Sequence, residues 1–128
     1  MKRCMNTRLG PAAVGPYSTL TMTEDTVYVS GMIPLVPATG AIVEGGIREQ
    51  AAQSLRNIKT VLEEAGLTMA NVLKTTVLLT DLDDFAAVNE VYASFFDGDY
   101  PARACFEVSR LPKGAMIEIE AVAARSMD

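Results

Sequence analysis

Ile117-Glu118-Ile119-Glu120-Ala121-Val122-Ala123, close to the C-terminus, alternates by twos. Successive side chains of an extended strand point to opposite faces. Ile117, Ile119, Ala121 and Ala123 therefore share one face, and Glu118, Glu120 and Val122 share the other. Just upstream, Ala102-Arg103-Ala104-Cys105-Phe106-Glu107-Val108 alternates as well. Its apolar side is Ala102, Ala104, Phe106 and Val108, and its other side is Arg103, Cys105 and Glu107. Leu111-Pro112-Lys113-Gly114 joins the two strands. If the apolar sides lie against helices, Arg103, Cys105, Glu118 and Glu120 all fall on the sheet face that the helices leave uncovered.

The helices lie upstream. Phe85, Val88, Tyr92, Phe95 and Phe96 mark the buried side of one. Asp81, Asp83 and Asp84 put acid at its start, where the helix dipole favours it, and Asp97-Gly98-Asp99 ends it. Residues 72–80, rich in Val, Leu and Thr, read as a strand buried on both faces. Ile47, Ala51, Leu55, Ile58, Leu62 and Ala65 are spaced as one apolar stripe, which predicts a helix over 47–65. Gly66 stands where a left-handed residue closes such a helix. Residues 17–22 and 26–33 read as a hairpin around Thr23-Glu24-Asp25. Residues 34–46 form a loop, and Gly10-Pro11-Ala12-Ala13-Val14-Gly15-Pro16 is irregular. The order β-β-α-β-α-β-β predicts an α+β sandwich, one mixed sheet with two helices on one face.

The chain of 128 residues reads as a single domain over 1–128. It is 49% hydrophobic and 21% charged, a globular composition that excludes disorder. With no His, Ser-His-Asp and Cys-His catalysis and His-based zinc sites are excluded. Cys4 and Cys105 make no CxxC motif, so no metal site is expected, and two cysteines build no disulfide framework. The net charge of −5 has the wrong sign for neutralising phosphates, so no nucleic acid is expected as partner. Residues 26–43 lack charge but contain Pro34, Pro37 and Gly40. No membrane span and no targeting segment is expected, which points to the cytoplasm.

The uncovered face has two readings. It is a solvated surface, or it is a subunit interface whose charges line a cleft. Cys105 and Val122 suit open solvent poorly. An arginine and a glutamate meeting in a partly buried cleft would make a site for a small carboxylate, which arginine grips with two donors.

Gly15-Pro16-Tyr17-Ser18, Tyr28-Val29-Ser30-Gly31-Met32-Ile33-Pro34 and Val88-Asn89-Glu90-Val91-Tyr92 occur in this order. Pro101-Ala102-Arg103-Ala104-Cys105 follows, and then Leu111-Pro112-Lys113-Gly114 and Ile117-Glu118-Ile119-Glu120. Together they strongly resemble the RidA/YjgF family of reactive intermediate deaminases, over nearly the whole chain. The resemblance implies a chorismate-mutase-like domain in a homotrimer whose sheets form a central barrel, with clefts between subunits. It implies hydrolysis of enamines and imines, such as 2-aminoacrylate released by pyridoxal-phosphate dehydratases, to 2-oxo acids and ammonia. No cofactor and no metal is implied.

Carried over by position, Arg103 clamps the substrate carboxylate and the backbone at Cys105 helps to fix it. Glu118 activates water, and Tyr17 closes or orients the site. Ser30, Gly31 and Asn89 are further substrate-binding positions, and Glu120 competes with Glu118 for the water-activating role. Blander readings stand beside these. Arg103 would be an ion-pair partner of Glu118 or Glu120, Tyr17 interface packing, Asn89 a bond to a neighbouring loop, and Cys105 a nucleophile. Met32, Ala104 and Phe106 depart from the family's commonest pattern and leave the preferred substrate open. The rival functions are a non-catalytic sensor of 2-oxo acids or amino acids, a ribonuclease or translation inhibitor, and a chaperone.

Overall fold

In a computed structural model, which describes residues 1–126, the two alternating segments lie in one six-stranded sheet. Its strands are β1 (Arg3–Met5), β2 (Leu20–Met22), β3 (Thr26–Met32), β4 (Val72–Leu79), β5 (Ala102–Glu107) and β6 (Ile117–Ala124). The spatial order is β1-β2-β3-β6-β4-β5. Only the β4–β5 pair is parallel, as expected of two strands joined through a helix. The sheet is mixed, with helices α1 (Ile47–Glu64) and α2 (Phe85–Ala93) packed together on one side.

Helix α1 forms where its apolar stripe predicts. The Glu49 carboxylate accepts from the Gly46 N–H at 2.7 Å, which satisfies one free donor of the first turn. At the other end Gly66 takes φ +82°. Leu67 N–H then reaches Leu62 O at 2.8 Å and Gly66 N–H reaches Glu63 O at 3.0 Å, the bonding of a Schellman cap. Leu55, Ile58, Val61 and Leu62 are buried against the sheet. Burying each of these contributes roughly 1.5–3 kcal/mol. On β6 the predicted face holds: Ile117, Ile119, Ala121 and Ala123 are all buried in that same core.

Four expectations need correction. Residues 3–5 form a strand although they carry no apolar alternation, because pairing with β2 supplies their order. The hairpin's first strand begins at Leu20, not residue 17. Helix α2 ends at Ala93, and Ser94, Phe95 and Phe96 continue only as a turn. Its Phe85 is 39% exposed. Strand β4 is buried on one face only, at Thr75, Val77 and Leu79, while Leu73 stands exposed at a bulge.

The largest correction concerns β5. Thr75 is paired with both Arg103 and Ala121, and Val77 with both Cys105 and Ile119. Paired residues point to the same side, so Arg103 and Cys105 face the helices. Glu118 pairs with Leu78, which pairs with Phe106, on the other side. The alternation of β5 is present, but its two faces are the reverse of those expected. Its apolar residues look onto the side no helix covers, where Phe106 is 54% and Tyr28 52% exposed.

Candidate functional site

Arg103 rises from β5 under α2, and three residues of that helix meet it. Phe85, Asn89 and Tyr92 are spaced four and three apart, which puts them on one face. Arg103 Nη1 donates to Asn89 Oδ1 at 2.8 Å. Its Cζ lies 5.3 Å from the centre of the Phe85 ring and 4.9 Å from that of Tyr92. Tyr92 is 5% exposed and its hydroxyl is hydrogen bonded to that of Thr75 at 2.7 Å. Burial pushes the Tyr92 hydroxyl up, against the opposing pull of Thr75 and Arg103. The guanidinium opens onto a cavity of about 410 Å3 walled also by Ala93, Tyr100 and Pro101.

Cys105 follows on the same face and packs against the core. Burial raises its thiol, with Arg103 pulling the other way, so the group is not set up as a thiolate nucleophile. Its backbone is better placed than its sulfur. Val108 N–H donates to Leu79 O at 2.8 Å. The alternation of a parallel ladder then leaves the backbone groups of Cys105 on the sheet's outer edge.

Glu118 occupies a second cavity, of about 320 Å3, with Tyr17, Ser30, Gly31 and Pro112 among its walls. Its carboxyl is raised first by burial and then by the charge of Glu120, which shares its face but stands more exposed. A bulge in β3 between Val29 and Met32 carries Ser30 and Gly31 to it. A Cβ on Gly31 would stand 2.6 Å from Glu118 Oε2, so any other residue would push the carboxylate from this position. Ser30 Oγ donates to Ser18 O at 2.7 Å, and the Tyr17 hydroxyl accepts from Val14 N–H at 3.3 Å. Buried side chains of α1 hold this region. Asn57 donates to Leu35 O at 2.9 Å, and Gln50 accepts from Met116 N–H at 2.8 Å, two residues before Glu118.

The predicted residues therefore assemble into two groups, not one. Arg103, Asn89 and Cys105 lie on the helix side. Glu118, Glu120, Tyr17, Ser30 and Gly31 make up the other group. The single cleft expected to hold Arg103 with Glu118 does not exist within one chain, because the sheet separates them. For the same reason Arg103 does not pair with Glu118 or Glu120 within one chain, and Asn89 bonds Arg103 instead of a loop. Sequence reading missed Phe85, Tyr92 and Thr75 as neighbours of Arg103. The 85, 89, 92 spacing is the available signal, and Tyr92 is buried in the core as expected while its ring also meets the guanidinium.

One group offers a fixed cation with donors to spare, suited to a carboxylate. The other offers a half-buried carboxyl held above its ordinary value by burial and by Glu120, the direction in which a proton-transferring group is tuned.

Residues 7–125 match the family model described as Endoribonuclease L-PSP. A human protein named 2-iminobutanoate/2-iminopropanoate deaminase is 47% identical over 123 residues, which cover 96% of this chain and 90% of that one. The crystal structure of E. coli TdcF with bound serine superposes with a TM-score of 0.92 at 44% identity, covering 97% of this chain and 99% of its own. The E. coli YjgF gene product gives 0.92 at 43% identity, with the same coverage.

Proposed function

The chain belongs to the Endoribonuclease L-PSP family, also called RidA/YjgF, and on that premise we propose that it is an imine deaminase. It hydrolyses enamines and imines derived from amino acids, such as 2-aminoacrylate, to 2-oxo acids and ammonia. The observation that carries this reading is the Arg103 guanidinium, held by Asn89 at the mouth of an open cavity.

Arg103 grips the substrate carboxylate, and the outward backbone of Cys105 adds a contact. The enamine tautomerises to the imine, whose C2 is already electrophilic. Glu118 takes a proton as water oxygen bonds to C2, and it returns the proton to nitrogen. In the resulting carbinolamine, Glu118 moves the hydroxyl proton to nitrogen as the C–N bond breaks, so ammonia leaves and the oxygen electron pair forms C=O. An imine hydrolyses unaided in water, so orienting the carboxylate and one water supplies much of the acceleration required. Tyr17 closes the Glu118 side.

Because the sheet keeps Arg103 and Glu118 apart, a complete site needs Arg103 of one copy and Glu118 of another. This supports a homotrimer of chorismate-mutase-like chains whose open faces, carrying Tyr28 and Phe106, form a central barrel. The substrate comes from reactions that eliminate water from hydroxy amino acids, the work of pyridoxal-phosphate dehydratases. Two free thiols suit the reducing cytoplasm, and no helix among the described residues is long and apolar enough to cross a membrane.

The test is a coupled assay in which a dehydratase generates 2-aminoacrylate from serine and loss of the imine is followed. Wild type should accelerate it and Arg103→Ala should not. No acceleration by folded wild-type protein would refute the deaminase reading. The bound serine of TdcF favours a second reading, a sensor of amino or 2-oxo acids without turnover. Glu118→Ala separates the two, since an enzyme loses turnover while still binding ligand. A ribonuclease is disfavoured by the charge of −5 and the absence of His and Trp.

A further inference from the structure

Thr75 is an unusual occupant of its position. On β4 it shares the helix-facing side with Val77 and Leu79, both fully buried, and is itself only 2% exposed. A hydroxyl in such surroundings costs stability unless paired, and valine would fill the same volume. Its partner is the hydroxyl of Tyr92, at 2.7 Å. That bond ties the rim of the Tyr92 ring to β4, the strand paired with that of Arg103. The ring in turn lies 4.9 Å from Arg103 Cζ, next to the Asn89 amide that takes Nη1.

We infer that Thr75 and Tyr92 form a positioning pair for Arg103: the buried hydroxyl–hydroxyl bond fixes the Tyr92 ring, and the ring and Asn89 together fix the plane of the guanidinium. Neither Thr75 nor Tyr92 needs to donate to the ligand. Their effect is on the orientation of the fork that does, and the role as carboxylate clamp rests on the reading under Proposed function. A bidentate grip needs both its donors aimed together, so a guanidinium free to rotate over its pocket binds a carboxylate more weakly. Phe85, at 5.3 Å, borders the same guanidinium but is 39% exposed and has no hydroxyl to register it.

The pair is testable without turnover. Solvent exchange of the Arg103 Nε–H, followed by NMR in the ligand-free protein, reads the order of the guanidinium directly. Affinity for 2-oxobutanoate, measured by calorimetry beside the neutral 2-oxobutanamide, reads its consequence. Tyr92→Phe keeps the ring and loses the bond, Thr75→Val keeps the volume and loses the bond, and Thr75→Ser keeps the hydroxyl. Tyr92→Phe and Thr75→Val should speed the exchange several-fold. They should weaken 2-oxobutanoate on the order of fivefold to tenfold, the size of one buried hydrogen bond. The amide should be little affected, and Thr75→Ser should behave as wild type. If Thr75→Val fails to fold, Tyr92→Phe and Thr75→Ser carry the comparison. Unchanged exchange in Tyr92→Phe, or equal loss for acid and amide, would overturn the inference. Faster exchange in the variants, with no binding of 2-oxobutanoate by wild type, would instead keep the pair and reject the carboxylate-clamp reading.

Discussion

The two halves of the site are built in different ways. The Arg103 half is made of side chains: one helix face supplies Phe85, Asn89 and Tyr92, and β4 supplies Thr75 beneath them. The Glu118 half is made largely of backbone. A bulge in β3 brings Gly31 against the carboxylate, while on α1 the buried Asn57 amide holds the Leu35 carbonyl and Gln50 accepts the Met116 N–H. A clamp for a charged group gains from rigid side-chain packing. A group that must gain and lose a proton gains from close confinement that raises its pKa. The two halves should therefore fail differently when perturbed.

The largest effect is expected at the proton-transferring group. Glu118→Gln should lower kcat by about 10²–10⁴ and leave 2-oxo acid binding nearly intact, as measured by steady-state kinetics and calorimetry. Gly31→Ala comes next. Its Cβ would collide with Glu118 Oε2, and a displacement of about 1 Å can cost on the order of 10² in rate. This loss should fall on kcat, although Gly31 carries no chemistry of its own. Asn89→Ala should act on the other half, raising KM about tenfold with a smaller change in kcat, since it frees Arg103 without touching Glu118.

The pH response sharpens the contrast further. Glu118 must be ionised to accept a proton, so kcat/KM should fall as pH drops through its raised pKa. That acid limb should lie above the ordinary carboxylate range. The Glu120 charge contributes to the rise, so Glu120→Gln should move the limb to lower pH, while Asn89→Ala should leave it in place. Stability carries the same sign. A carboxyl raised on folding favours the folded state at low pH and loses that contribution as pH rises through its folded pKa. Glu118→Gln should therefore become more stable relative to wild type as pH is raised from 4 to 8, in thermal melts at fixed protein concentration.

Much of this was legible in the chain. The α1 stripe, the Gly66 cap and the buried face of β6 follow from local periodicity, and the structure shows all three. The face assignment of β5 failed for a physical reason. Alternation shows that two faces differ, and Ala102, Ala104 and Phe106 made the apolar one look like core. On an outer strand beneath a short helix, the covered face instead holds a cation among aromatics and an amide. Tyr92 is buried as its spacing predicts, but spacing does not reveal that it and Phe85 also border Arg103. An aromatic at helical spacing looks alike whether it meets a core or a guanidinium. The Thr75–Tyr92 bond joins residues 17 apart in sequence and leaves no local pattern. Gly31 is singled out only by the family resemblance, although a glycine within a β-prone run is itself a signal of close approach.

The central claim is that one working site takes Arg103 from one copy and Glu118 from another. Arg103→Ala and Glu118→Gln chains, each inactive alone, can be unfolded, mixed in equal amounts and refolded together. Each variant retains the group the other lacks. Random assembly of a closed ring should then give about a quarter of the sites both intact groups, and deaminase activity should recover to about that fraction of wild type. Mixed oligomers that form, as shown by native mass spectrometry, yet remain as inactive as either parent would contradict the account.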